Sequence, residues 1–403
     1  MKKILLAFLI VIFMFSSPAY TQQVKAEDMS ISNLFYEAYL DFSISSFQEV
    51  NKEDNLLYSP ISLYYALSMM SVLSNEDTYL EFETLLGVDK ATLLTQIPLL
   101  TNDILVDHED ADYWFANFLY YDNESNIGDE DYVFNESLLN QYQDIFNYEL
   151  QNISFYDGAA GKMISEKIND GTNDFLDIKE NDLASLLRAN ILFNNTIYYN
   201  GEWLIGYDES DNYEDSFYIT DENLVIVEYM KKLDTRSMYY ESEIGSAVKS
   251  YFKDGTSMIF VLPNEELTLD DLISNTDGFK DIIQNQDLYM YADTTLTIPK
   301  MERESKMSLV KDLKNLGLTS IFTESEETFP DLTPYPFSIT DIWQASKIRV
   351  DEVGVEVAAT TMSIGCAATA PQPPYTFLVD RPFIYIIMSS TDIPLFIGSV
   401  YSF

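Results

Sequence analysis

EVGVEVAATTMSIGCAATAPQPPYTFLVDRP, residues 352–382, joins β-branched residues, tiny residues and a late proline cluster in one segment. From Glu352 through Ala370 there is no proline, so every backbone N–H there is available to a hydrogen-bonded ladder; Pro371, Pro373 and Pro374 lack that donor. Strand formation is open as far as Ala370 and obstructed beyond it. In extended form Val355, Val357, Ala359 and Thr361 share one face, while Glu356, Ala358 and Thr360 share the other. The first set suits a core. By itself the segment fits two descriptions: a surface loop before a C-terminal hairpin, or a peptide exposed in one state and inserted into a sheet in another.

Outward from this stretch, the N-terminus MKKILLAFLIVIFMFSSPAYTQQVKA has Lys2 and Lys3, then an apolar run from Ile4 to Phe15, then small residues. That is the layout of a secretory signal peptide. Ala19 and Ala26 both suit cleavage; Val24 with Ala26 favours the second, so residues 1–26 are expected to be removed and residues 27–403 to form the mature, secreted, extracellular protein. The apolar run is too short for a membrane span, and no later segment reaches the required length.

With 23 Lys and Arg against 66 Asp and Glu, the chain carries a formal charge of −43. So acidic a surface disfavours nucleic acid, heparin-like polyanions and anionic membranes as partners. The charge is spread along the chain, with local density at Asp107–Asp112 and Asp129–Asp131, which describes a solvated face better than a cation site. Cys366 is the single cysteine, so an exported chain has no internal disulfide and relies on its core. Neither a Pro/Gly/Ser linker nor an internal repeat divides residues 27–403, so one large domain is expected.

Ile31, Leu34, Phe35, Ala38 and Phe42 fall at helical spacing. A second helix is expected after Ser59, a suitable N-cap, with Pro60 at its first position and Leu63, Ala66, Leu67 and Met70 as its buried stripe. Asn75 to about Leu187 alternates short apolar patches with acidic turns and shows no clear period. ANILFNNTIYY from Ala189 and SMIFVLP from Ser257 have the composition of central strands. Leu309, Leu313 and Leu316 mark a late helix stopping at Gly317, and the C-terminus forms two strands about a turn near Ser390–Pro394. Helices first and strands later indicate an α+β fold with substantial sheet.

Several of these segments carry a family resemblance. NLLYSPISLYYAL (55–67), NTIYYNGEW (195–203), SMIFVLP (257–263), LTIPKM (296–301), LKNLGL (313–318), IRVDEVGVEVAATT (348–361), VDRPFIYII and PLFIGSV stand in the order found in serpins. The chain resembles that family over residues 29–403. The resemblance implies helices packed around a large central mixed β-sheet, further sheets, and an exposed reactive-centre loop at about 352–380. Two positions depart from the family's pattern: Gln344 stands where a histidine is usual, and Lys167 where a tryptophan is common.

The resemblance further implies a monomeric suicide-substrate inhibitor, with no cofactor or metal, whose loop is cut by a serine protease and then inserts into the central sheet. The implied hinge is Glu352, Val353, Gly354, Val355, Glu356, Val357, Ala358, Ala359, Thr360 and Thr361. The implied sheet-opening shutter is Ser59, Ser62, Asn195 and Gln344, and the implied breach residue is Trp203. The family's hinge-to-bond length places the scissile bond between Ala368 and Thr369, with Ala367 or Ala370 as alternatives one or two residues away. Gly365, Cys366, Ala367 and Ala368 suit elastase-like or subtilisin-like targets. A trypsin-like target is disfavoured because no Lys or Arg lies between Asp351 and Asp380. Cys366 fits as a small loop residue, since no basic neighbour would lower its pKa.

The rival readings are an enzyme and a non-inhibitory serpin acting as a binding or surface-interaction protein. His108, the only histidine, lies in the polar run DHEDAD, and no G-x-S-x-G, H-E-x-x-H, phosphate-binding glycine loop or cysteine pair occurs. Val357, bulkier than the alanine usual there, leaves the non-inhibitory alternative open.

Overall fold

The structure, a computed structural model, describes residues 30–104, 111–123, 126–127, 130–131, 133–155, 159–183, 191–220, 222–285, 288–354 and 374–403. The expected signal peptide, Val355–Thr361, Cys366, the Ala368–Thr369 bond and His108 lie outside these residues.

The centre of the fold is a sheet in two parts. One part is three-stranded, with β2 (Ala111–Tyr121) between β5 (Tyr148–Asn152) and β6 (Ile191–Gly201). β2 is parallel to β5 and antiparallel to β6 in an eleven-residue register from Ala111↔Gly201 to Tyr121↔Ile191. The other part is the antiparallel pair β14 (Met301–Ser308) and β15 (Trp343–Val350). A short ribbon, β3 (Asn126–Ile127) with β4 (Glu130–Asp131), lies beyond β2.

A seven-stranded antiparallel sheet runs in the order β1 (Leu56–Tyr58), β18 (Pro394–Val400), β17 (Phe383–Met388), β11 (Ser257–Pro263), β10 (Gly245–Tyr251), β9 (Met238–Glu241) and β12 (Met290–Tyr291). β11, β17 and β18 are mainly apolar runs buried at every residue. That is what a strand covered on both faces requires. A four-stranded sheet has the order β16 (Tyr375–Leu378), β13 (Thr294–Pro299), β8 (Asn223–Asp234) and β7 (Tyr213–Thr220).

The helices are α1 (Asn33–Val50), α2 (Pro60–Ser71), α3 (Glu76–Leu86), α4 (Lys90–Ile104), α5 (Glu136–Phe146), α6 (Ala159–Gly171), α7 (Leu269–Ser274), α8 (Thr276–Gln284) and α9 (Val310–Asn315). α1 starts at Ser32, whose hydroxyl accepts from the Phe35 N–H at 3.3 Å. α2 starts as expected, with Ser59 capping and Pro60 in the first turn, and all its residues are buried. It packs against β6 and β18, so it is the core helix between the central and seven-stranded sheets. On the other face of the central sheet, Ile164 and Ile168 of α6 bury Phe118, Tyr120 and Leu192. The late helix ends at Gly317, whose φ of +97° is the left-handed stop its residue type suggested. The observed class is α+β, with a large antiparallel sheet and further sheets.

Candidate functional site

β15 carries the chain out of the central sheet at Val350, and the next four residues are tied down. The Trp203 N–H donates to the Val353 carbonyl at 3.0 Å, and the Tyr207 N–H to the Glu352 carbonyl at 3.0 Å. The Trp203 indole Nε1 donates to the Asp351 carbonyl at 3.0 Å. Gly354 closes the turn, its N–H donating to the Asp351 carbonyl at 3.3 Å. Its φ is +100°, and a Cβ there would stand 2.4 Å from the Trp203 nitrogen and 2.7 Å from the Gly201 oxygen. Only glycine meets both conditions. Implied hinge residues Glu352 and Gly354 and breach residue Trp203 therefore meet at one point, the C-terminal end of β6.

Side chains lock the same point. Trp203 is buried and stacks on Phe252, with ring centroids 4.4 Å apart and planes at 16°. The Glu352 carboxylate accepts from Asn212 Nδ2 and pairs with Lys300 at 2.9 Å. Burial, the largest single influence, pushes the Glu352 carboxyl up, but the bonds from Lys300 and Asn212 together outweigh it and hold it below its ordinary value. The bond to Glu352 in turn raises the Lys300 ammonium.

Beneath Gly354 the central sheet is open. A cavity of about 310 Å³ is bordered by Tyr198 and Asn200 of β6 on one side and Ile348 and Val350 of β15 on the other. At the far end a smaller void lies between Ile191–Phe193 and Ile339–Ile342. The C-terminal ends of β6 and β15 thus share one end of the opening and their N-terminal ends the other, so the two strands run in the same direction. Among the described residues no strand pairing joins β6 to β15. A segment running back from Gly354 between them would be antiparallel to both, and each edge has N–H and C=O groups to offer it.

Near the far end, Gln344, the second residue of β15, anchors that strand to the start of α2. Its Oε1 accepts from the Ser59 N–H at 2.9 Å, and its Nε2 donates to the Ser59 carbonyl at 2.8 Å. The Ser59 hydroxyl lies 3.2 Å from Ser62 Oγ and 2.9 Å from the Leu395 carbonyl. An amide supplies a donor and an acceptor side by side, so one glutamine satisfies one whole residue's backbone. Ser59, Ser62 and Gln344 form one cluster. Asn195 bonds elsewhere: its Nδ2 donates to Asn117 Oδ1, and Asn117 Nδ2 donates to the Phe146 carbonyl at 3.0 Å. The Asn195 Oδ1 is buried without a partner. Asn117 was not picked out from the sequence, although a single amide in the apolar run WFANFLYY was a signal. Lys167 on α6 pairs with Glu149 at 2.8 Å and lies 4.3 Å from the centre of the Phe118 ring.

Among the described residues no group of three or more His, Cys, Asp or Glu side chains is placed to hold a metal ion, and no helix is long and apolar enough to cross a membrane.

Residues 37–403 match the family model described as Serpin (serine protease inhibitor). Among curated proteins the chain is similar to intracellular coagulation inhibitor 2 of Tachypleus tridentatus, 27% identical and aligned over 87% of this chain and 86% of that protein. It is 25% identical to antitrypsin of Bombyx mori, over 89% and 92% of the two chains. Among solved structures, the thermophilic serpin tengpin in its native state superposes with a TM-score of 0.79 at 23% identity, covering 93% of this chain and 95% of that one. Serpin48 of the insect Tenebrio molitor gives 0.75 at 23% identity, covering 94% and 100%. With nearly its whole length matched by the family model, this chain belongs to the serpins.

Proposed function

We propose that this serpin is a secreted suicide-substrate inhibitor of serine proteases with a small primary pocket, elastase-like or subtilisin-like, cut between Ala368 and Thr369. The protease serine adds to the Ala368 carbonyl, Thr369 leaves as a free amine, and an ester joins enzyme to inhibitor. The freed arm then inserts between β6 and β15 before water can cleave that ester, dragging the enzyme with it.

One observation carries this reading: β6 and β15 run in the same direction with no pairing between them among the described residues, and Glu352–Gly354 are held at the mouth of the opening between them. Val355 to Ala370 follows that root without a proline. About ten new ladder bonds at about 0.5–1.5 kcal/mol each, with roughly 1.5–3 kcal/mol for burying each of Val355 and Val357, rival a whole domain's stability. Ordering the loop opposes part of that gain. Absence of Lys and Arg from residues 352–379 supports the small-pocket preference, and the run from Lys2 to Phe15 supports secretion.

The test is incubation of the purified protein with pancreatic elastase, subtilisin and trypsin, followed by a denaturing gel. A covalent complex with the first two, absent with trypsin, is expected, and mass spectrometry should find a released peptide beginning at Thr369. Gln344, bonded twice to Ser59 where the family usually has histidine, favours a second reading, a non-inhibitory serpin whose sheet resists opening. In that case elastase and subtilisin would cut the loop and neither would be trapped.

A further inference from the structure

The segment Trp203–Tyr207, which holds the root of the loop, is itself held by a buried cation. Met230, Lys232 and Asp234 alternate toward the inner face of β8, and the Lys232 side chain is only 3% exposed. Its ammonium donates to the Ile205 carbonyl at 2.7 Å and the Ser250 hydroxyl at 2.9 Å, and pairs with the Asp234 carboxylate at 3.2 Å. The Ser250 hydroxyl in turn donates to the Asp234 carboxylate at 2.6 Å. All three ammonium hydrogens thus have acceptors. The charge also lies 4.6 Å from the centre of the Trp203 ring and 4.5 Å from that of Tyr207, a desolvated cation–π arrangement.

A buried ion pair is no better for stability than a well-packed apolar group, because both charges lose their water. What this cation adds is attachment. It grips the segment at Ile205 and at the two aromatic rings of Trp203 and Tyr207. Those two residues' N–H groups carry the Val353 and Glu352 carbonyls. Burial pushes the Lys232 ammonium down to about 8, with Asp234 working the other way, so the group is charged at neutral pH.

We propose that Lys232 is a positioning residue for the inhibitory reaction: it keeps the Trp203–Tyr207 segment in the arrangement that docks Glu352 and Val353, and so limits how fast an uncut loop is lost into the sheet opening. The proposal rests on the inhibitory reading above.

Lys232→Met keeps most of the stem and removes the charge. Uncut Lys232→Met is expected to lose its ability to trap protease on storage about tenfold faster than the parent protein. Amide hydrogen exchange at Trp203 and Tyr207 should accelerate alongside. Lys232→Arg, which keeps a cation beside the Trp203 and Tyr207 rings, should decay more slowly than Lys232→Met. Ile282→Val, a small cut in the core of α8, controls for general loss of stability and should decay like the parent. Decay of Lys232→Met at the parent rate, or acceleration matched by Ile282→Val, would overturn the proposal. If Lys232→Met does not fold, Ser250→Ala, which removes one of the three acceptors, decides: faster decay with faster exchange at the two amides supports the role, and unchanged values overturn it. If the parent traps no protease, the inhibitory reading falls by itself. Exchange then judges the positioning separately: unchanged protection at Trp203 and Tyr207 in Lys232→Met overturns it, and lost protection supports it.

Discussion

Two demands coincide at residue 354: a φ of +100°, and a hydrogen in the space where a Cβ would stand 2.4 Å from the Trp203 nitrogen. Gly354→Ala must relax both by lifting the turn away from β6, which strains or breaks the bond from Trp203 to Val353. A destabilisation of roughly 2–3 kcal/mol is expected from backbone strain and a lost hydrogen bond, read as a lower melting temperature of the uncut protein. An unchanged value would show that the turn moves freely and does not fix the loop. Glu352, two residues earlier, makes the tether depend on pH. Its carboxyl lies below the ordinary 4.5 in the folded protein, so its contribution is complete above 4.5 and disappears as the pH falls through the lower folded value. Asp351, raised by burial, acts in the opposite sense over its own range. The difference in melting temperature between the parent and Glu352→Gln isolates the first effect. It should be positive at neutral pH and close toward zero in acid; a gap that persists below the folded value would contradict the assignment. Ser59 was legible as a helix cap from its residue type and the proline after it, while Gly354 and Trp203 were singled out only by the family resemblance. Lys232 was not, since the run MKKLD looks like a solvated strand until Trp203, Tyr207 and Ser250, distant in sequence, enclose it.

Among the elements, those that were legible carry either a clean period or an unbroken apolar run. α1 and α2 announced themselves by helical spacing and a serine cap, and β6, β11, β17 and β18 by composition. Within Asn75–Leu187 the reading failed for separable reasons. α4 contains Pro98, which reads as a helix breaker; α5 begins with Asn135 and Glu136, which look like another acidic turn although Asn135 is its cap. β2 is covered on both faces, so it has no alternation to detect. The separation of β6 from β15 was not legible from local pattern at all, because pairing is a long-range property. It does supply a test at the level of one strand. If residues after Gly354 insert between β6 and β15, Val355 enters a ladder flanked by buried groups, and Val355→Arg would carry a charge there. That variant should still be cut at the Ala368–Thr369 bond but should trap little or no protease, with cleavage and complex formation read from one denaturing gel. Trapping at the parent level would count against insertion of this face.

For the molecule as a whole, the central question is whether the uncut chain is its most stable arrangement. The described structure leaves β6 and β15 unpaired along facing edges and keeps a cavity of about 310 Å³ at one end. Unmet strand edges and void space are ordinarily unfavourable; here Trp203, Tyr207, Asn212 and Lys300 hold the segment after β15, and Gln344 holds the start of that strand. Cutting beyond the hinge removes the one covalent restraint that keeps the far end of the loop tied to β16. If the arm then fills the opening, a gain on the order of 10 kcal/mol follows from the ladder bonds and valine burial. Divided by an unfolding entropy of about 2.1 cal/mol/K per residue, that gain places the nicked protein roughly 10 °C or more above the intact one on melting. An ordinary surface loop behaves the other way, since a nick gives the unfolded chain more freedom and leaves the folded contacts as they were. Calorimetry of the intact and nicked forms in one buffer separates the two cases: a large rise means the opening has been filled, whereas equal or lower melting of the nicked form means that β6 and β15 are not the receiving edges and the loop acts only as a substrate.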